Sequence, residues 1–281
     1  MAITGNTQLG PTKQDLIAAA VQRELKHNTK LLPFVTDVSQ FAVKGAKSIS
    51  FPKLSSFTVE NRASATAGTV QHLTAAVDKL DLNFNAYVSW LIDASDEAQS
   101  TIDAKLAFAE RAAASHGRYV DAQIVAQIRA GAGFVASAVS LRDKILEARA
   151  FLKRNQAVLQ NTVILAAPEM EAELLQVEEF SKADVYGSAV IPSGVLGRIY
   201  GAPVLVHEEL AADEIFMFEN TGVAIGMQKA PNYASQAAIE YGTASVLEAM
   251  DQLFGVKALQ IDQGTGTLLG KSGLITKVTG A

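Results

Sequence analysis

The sequence predicts an α+β fold, and three observations carry that prediction. Residues 47–59 and 78–92 alternate apolar and polar side chains, as half-buried strands do. Residues 95–130 carry an apolar stripe at helical spacing. Residues 162–245 interleave short apolar runs with Pro and Gly punctuation, as an α/β lobe does. A chain of 281 residues, at roughly 150 per domain, fits one large domain or two smaller ones. With 49% hydrophobic and 19% charged residues it has ample material for a core and lies far from the disordered class.

In chain order, residues 1–12 (MAITGNTQLGPT) are polar and Gly/Pro-punctuated and predict a flexible arm. A short amphipathic helix is expected from about Thr12 to Lys26, with Leu16, Ile17, Ala20 and Val21 on one side. Around it lie Lys13, Arg23, Lys26 and Lys30 against Asp15 and Glu24, a locally basic stretch on an acidic chain. Such a stretch is ordinarily a solvated helix face; its functional reading is a contact with nucleic acid.

The run KSISFPKLSSFTV (47–59) predicts a strand in which Pro52 requires an edge position or a bulge. In DKLDLNFNAYVSWLI (78–92), Leu80, Leu82, Phe84 and Ala86 point one way and Asp81, Asn83 and Asn85 the other. Between the two runs, residues 55–77 are small, and Glu60 and Arg62 are their only formal charges. A loop of this length without structure of its own is uncommon in a compact domain and tends to be functional. Two strands joined by such a tip predict a β-arm leaving the body, and an isolated two-stranded ribbon is marginal in water. The arm therefore needs another surface.

The long helix at 95–130 takes Ser95 or Asp96 as its cap and Gly131 as its stop. Its stripe is Ile102, Leu106, Ala109, Ala113, Val120, Ile124 and Ile128, and Ser115 and Gly117 mark a place where it could bend. Unbroken, it spans roughly 54 Å at 1.5 Å per residue. A second helix is expected from about Leu141 to Asn155, capped by Ser140. The lobe then reads as a buried strand at Thr162–Ala166, a helix opening at Pro168, and strands at Ala202–Val206, Glu214–Glu219 and around Val223–Met227. Ala244–Leu253 is expected to be helical, and the chain from Gly264 onward loop-like or a flexible edge.

Chemistry is mostly excluded. The absence of cysteine removes disulfides, thiol nucleophiles, iron–sulfur clusters and thiolate zinc sites. No apolar run approaches the roughly 18 residues of a membrane helix, and no basic start followed by an apolar run marks a secretory signal. The expected setting is a reducing compartment, away from membranes. Twenty-four basic against 29 acidic side chains (formal charge −5) disfavour tight nucleic-acid binding by the whole chain. In GTGTLLGKSG (264–273) the glycines miss the phosphate-loop spacing, because Thr265 stands where the first glycine belongs. His207-Glu208 lacks the second histidine of a zinc protease, and Ile191-Pro192-Ser193-Gly194 lacks the first glycine of a nucleophile elbow. The adjacent pairs Glu178-Glu179 and Glu208-Glu209 diverge on any regular element. No catalytic, cofactor or metal site is expected.

The ordered set of elements carries a further signal. It comprises SISFPKL (48–54), LDLNFNAYVSWLID (80–93), DEAQSTIDAKLAFAERAA (96–113), VILAAPEMEAELL (163–175) and VYGSAVIPSGVLGRIYGAPVLVHEEL (185–210). In this order, over about residues 12–255, the chain resembles the tailed-bacteriophage major capsid proteins of HK97-type fold. The resemblance implies an N-terminal arm (1–44), an extended β-hairpin E-loop with flanking strands (45–92), and a peripheral domain with the spine helix (93–155). It further implies an axial domain (156–245) and a C-terminal return with a tail (246–281). The implied function is structural: self-assembly through pentamers and hexamers into an icosahedral shell around phage DNA, in a virion assembled in the host bacterial cytoplasm. Portal and scaffolding proteins are the further partners, with no membrane and no cofactor. The inter-subunit contacts expected are Phe57, Glu60, Arg62, His72 and Leu73; the inward-facing basic residues expected are Lys13, Arg23, Lys26 and Lys30.

Some relatives of this type weld subunits by a Lys–Asn isopeptide bond from the E-loop. Residues 54–77 contain no lysine, so non-covalent contacts are expected here. About forty residues precede the E-loop, so no cleaved scaffolding segment is expected. Two readings compete: an encapsulin-type nanocompartment shell of the same fold, and an α/β enzyme built on the 162–245 lobe.

Overall fold

A computed structural model describes residues 29–54, 57, 59, 61, 68, 70–72, 75–93, 104–176, 195–238, 245–260 and 271–279. The expected Thr12–Lys26 helix and the tip of the β-arm lie largely or wholly outside this set.

The strands form three sheets. A two-stranded ribbon pairs β2 (Ser48–Leu54) with β3 (Ala75–Asp81), antiparallel, from Ser48 opposite Asp81 to Leu54 opposite Ala75. Pro52 sits in this ribbon without cost, since neither strand has a second neighbour. The alternation across 78–92 continues unbroken in burial, but the backbone divides after Asp81. β4 (Phe84–Ile92) belongs to a different, four-stranded sheet, ordered β1 (Thr36–Asp37), β10 (Val223–Ala237), β11 (Val246–Ala258), β4. The single expected strand is therefore two.

Two further expectations fail in this region. Ala244–Leu253 is not helical: Val246–Ala258 is a strand paired with β10 on one side and β4 on the other. Its helix-forming composition (Leu, Glu, Ala, Met) yields to pairing, with Glu248, Met250, Gln252 and Phe254 all buried on one face. The strand expected at Val223–Met227 runs on to Ala237, because β11 supplies a partner along its length.

The six-stranded sheet is mixed, ordered β5 (Ala132–Val135), β12 (Ser272–Thr279), β9 (Glu214–Glu219), β6 (Thr162–Ala166), β8 (Ala202–Val206), β7 (Val195–Ile199). The end of the chain is thus an interior strand rather than a loose tail. Ile275, Thr276 and Val278 are fully buried, and the Thr276 hydroxyl donates to the Met217 carbonyl at 2.8 Å. Its Gly/Thr-rich approach hides the strand from a composition reading. The β7–β8 turn is Tyr200-Gly201, with φ 49° and 88°, the two left-handed residues that a two-residue hairpin requires.

Helix α1 (Ala104–Gly131) joins the two larger sheets. Ala109, Ala112 and Ala113 pack around Met250 of the four-stranded sheet, while Val120, Ile124, Val125 and Ile128 enter the large core with the six-stranded sheet. It passes Ser115 and Gly117 without interruption. Gly131 does not act as a left-handed stop: the chain continues directly into β5, and a Cβ there would lie 2.3 Å from Ala258 Cβ. Helix α2 (Leu141–Arg154) is capped as expected, its Ser140 hydroxyl accepting from the Asp143 amide. It buries Leu141, Ile145, Ala148 and Leu152 beside the six-stranded sheet. Pro168 opens a single 3₁₀ turn that leads into the short helix α3 (Glu171–Gln176).

Candidate assembly surface

The ribbon is seated only at its root. Ile49, Leu80 and Leu82 pack with Val38, Ala42, Ala224 and Leu259, and Phe51 leans on this cluster. The seat is cut by two glycines that face each other across the β10–β11 pair, Gly226 opposite Gly255. A Cβ on Gly255 would meet the Asp81 carbonyl oxygen at 2.2 Å and Leu80 Cδ2 at 2.8 Å; one on Gly226 would meet Ile49 Cδ1 at 2.9 Å. Only glycine lets the ribbon backbone come this close to a strand.

A buried carboxylate fixes the angle. Asp78 Oδ1 lies 2.5 Å from Lys257 Nζ, and Oδ2 accepts from the Gln260 amide at 2.9 Å. Lys257 also donates to the Lys79 carbonyl at 2.6 Å. Asp78 falls in the inward register of the alternating run, alongside Leu80 and Leu82, and a charge in that register was the sequence signal for this anchor.

Beyond the root, the apolar side chains face solvent. Phe57 is 64% exposed, Val59 96% and Val70 79%. Burying each on a neighbour is worth about 1.5–3 kcal/mol, so a few such contacts make a stable lap joint. Of the contact residues expected from sequence, Phe57 and His72 are exposed on this segment. Glu60, Arg62 and Leu73 lie outside the described residues, as do Lys13, Arg23 and Lys26. Lys30 is exposed.

A second buried carboxylate, unforeseen from sequence, holds the first described residues. Asp121 of α1 accepts the Lys30 amide at 2.8 Å and the Leu31 amide at 3.4 Å, and meets His207 Nε2 at 3.3 Å. The Glu209 amide donates to His207 Nδ1 at 3.2 Å, which places the ring proton on Nε2, facing Asp121. Both ring nitrogens are thereby used, and neither remains to activate a nucleophile. A third node ties the end of α1 to β9 and β12. Arg129 Nε and Nη2 hold the Glu214 carboxylate as a fork, and Lys277 adds a contact at 3.2 Å. The Arg129 hydrogen bonds, against the cost of burial, pull the Glu214 pKa from 4.5 down to about 2. Among the described residues, no group of three or more His, Asp or Glu is placed to hold a metal ion, and no helix is long and apolar enough to cross a membrane.

A family model of phage capsid proteins matches residues 17–252. The chain belongs to the phage capsid protein family. It is a structural major capsid protein with the HK97-like α+β fold. Solved capsid structures share that fold at low identity. A structure of Mycobacterium phage Che8 superposes with TM-score 0.69 at 15% identity, covering 89% of this chain and 90% of that one. The capsid of an empty GTA particle gives 0.65 at 13%, covering 90% of each chain. A virus-like particle from Pyrococcus furiosus gives 0.63 at 10%, covering 95% and 99%. Comparison with curated protein sequences returns no match. As a capsid protein the chain is a component of the virion shell.

Proposed function

We propose that this capsid protein closes an icosahedral shell around double-stranded phage DNA by forming pentamers and hexamers, assembled in the host bacterial cytoplasm. The observation that carries the reading is the ribbon: a docked root followed by apolar side chains in water, on a chain of the capsid family. The β2–β3 ribbon is the E-loop and laps onto an adjacent copy, with Phe57, Glu60, Arg62, His72 and Leu73 in the contact. The four-stranded sheet with the first half of α1 forms the peripheral part, and the six-stranded sheet with α2 the axial part around which rings close. Lap joints of this kind are head-to-tail and ring-forming. Lys13, Arg23, Lys26 and Lys30 face the lumen and give the DNA weak, local contacts. Portal and scaffolding proteins are the further partners. The role is mechanical, with neither catalysis nor a cofactor.

Negative-stain microscopy of the protein expressed alone tests this. Closed shells or free rings are expected; a persistent monomer overturns it. Denaturing gels of the particles test the joint: a single band is expected, since residues 54–77 lack the lysine an isopeptide weld requires, and a covalent ladder refutes that point. The near-complete overlap with the virus-like particle from Pyrococcus furiosus supports a second reading, a nanocompartment shell that holds protein cargo. Purified native particles free of nucleic acid would select it.

A further inference from the structure

The four-stranded sheet ends at β4, and among the described residues nothing pairs with its outer edge. Beside that edge runs the middle of α1. Between them opens a groove of about 390 Å³, lined by Asn85, Ala86, Tyr87 and Val88 of β4 and by Ser115, His116 and Tyr119 of α1. Four consecutive strand residues line it, side chains of both faces together with the backbone between them. A free strand edge bordered by a helix is the geometry that accepts an added strand: the edge supplies main-chain hydrogen bonds and the helix a wall.

The walls are amphipathic. Tyr87 and Tyr119 are exposed aromatics, and Tyr119 is steadied by an edge-to-face contact with Phe254 at 6.1 Å. The floor holds the unexplained group. His116 is 2% exposed, and neither ring nitrogen reaches hydrogen-bonding geometry with any group, although Met250 and Gln252 lie close by. Burial, its largest influence, lowers the His116 pKa against the opposing pull of Met250, Gln252 and Asp251, so the ring stays neutral near pH 7. A neutral imidazole offers one donor and one acceptor, the complement of a peptide backbone. Leaving both unused in a buried site is costly unless a partner arrives.

We propose that this groove is the seat for the E-loop of a second copy, which adds to the β4 edge as a strand, with Phe57 and Val59 entering beside Tyr87 and Tyr119 and its backbone hydrogen-bonding His116. The occupant is chosen by chemistry on the same chain. Phe57 and Val59 are two apart, the strand spacing that puts both on one face, and both stand in solvent. The segment between residues 55 and 77 carries only two formal charges, which suits an aromatic-walled groove. The proposal rests on the E-loop being an inter-subunit strap, and it names where the strap lies.

The absence of cysteine makes the test clean. Two full-length variants, Val59→Cys and Ser115→Cys, are co-assembled and mildly oxidised. Disulfide-linked dimers on a denaturing gel, absent when either variant assembles alone, are the expected result. Shells that form normally yet give no dimer, with Phe57→Cys substituted for Val59→Cys as a second probe, overturn the seat. The variant His116→Leu separates seat from scaffold. Removing two unpartnered nitrogens is expected to leave the unassembled subunit at least as heat-stable as wild type while raising the concentration needed for assembly by about tenfold. Unchanged assembly refutes the proposal. A small-molecule pocket at this place would give the same refuting pattern, whereas failure of the wild-type protein to assemble at all would strike the E-loop reading and not the seat.

Discussion

Substituting Gly255 with alanine isolates the ribbon seat. The new methyl would sit 2.2 Å from the Asp81 carbonyl oxygen and 3.0 Å from its carbonyl carbon, both backbone atoms, and 2.8 Å from Leu80 Cδ2. Backbone cannot rotate aside as a side-chain tip can, so β3 must lift from β11 and part of the Ile49–Leu80–Leu82 cluster must open. Overpacking of this kind costs about 1–3 kcal/mol. Taking about 2 kcal/mol, thermal unfolding of the unassembled subunit shifts down by about 4–8 °C. Gly226→Ala is the matched control on the facing strand. Its methyl meets only Ile49 Cδ1, at 2.9 Å, and that flexible tip yields, so its cost stays below about 1 kcal/mol. Hydrogen exchange adds location: amides of Ser48–Leu54 and Ala75–Asp81 should exchange faster in Gly255→Ala and little changed in Gly226→Ala. If the two variants unfold together, or if exchange in the ribbon does not respond, the close approach of Asp81 to Gly255 is not what seats the ribbon.

Acid should weaken the α1–β9–β12 node. The folded Glu214 pKa of about 2 lies below the ordinary 4.5, so its stabilisation is complete above pH 4.5 and is lost as pH falls from there toward 2. The shift corresponds to about 3 kcal/mol, but Arg129 is 44% exposed and solvent screening reduces this to about 2 kcal/mol. A Glu214→Gln variant should therefore show a flatter stability curve between pH 5 and pH 3 by chemical denaturation. Asp121→Ala leaves two amides and His207 Nε2 without their acceptor and should cost about 3 kcal/mol, with hydrogen exchange at Lys30 and Leu31 rising first. Ser140→Ala removes the α2 cap and should cost about 1 kcal/mol by thermal unfolding, without effect on assembly.

What was legible in the sequence was periodicity. The stripe of α1, the capped α2, the fully buried β6, β8 and β9 and the alternating ribbon strands all announce themselves, because each buries side chains at the period of its own backbone. What was illegible depended on partners distant in sequence. β11 places Glu248 and Gln252 in its buried register; these polar residues broke the apolar pattern, and the helix-forming residues around them suggested the wrong period. β12 lies between β5 and β9 in a sheet that no local pattern reveals. The division of the 78–92 run escaped for a different reason. Its alternation passes unbroken through Leu82 and Asn83, because both halves turn their even-numbered residues inward, one toward the ribbon's seat and the other toward α1. A period of two records which face is buried; it carries no information on which sheet buries it.

The two buried carboxylates complete the picture, and each answers a need that apolar packing does not meet. Hydrophobic burial is non-directional, so an alanine-and-leucine seat would hold the ribbon root or the first described residues without fixing the direction in which they leave. A carboxylate that accepts backbone amides does fix it. Asp78 takes the Gln260 amide beside the ribbon, and Asp121 takes the Lys30 and Leu31 amides beside α1. In each case a cationic or N–H partner from a third element, Lys257 or His207, satisfies the remaining oxygen capacity, which keeps the buried charge tolerable. A shell subunit has to present its projecting segments at repeatable angles, because every copy must meet its neighbour in the same way. Buried acids at the roots supply that repeatability, and apolar side chains farther out supply the adhesion.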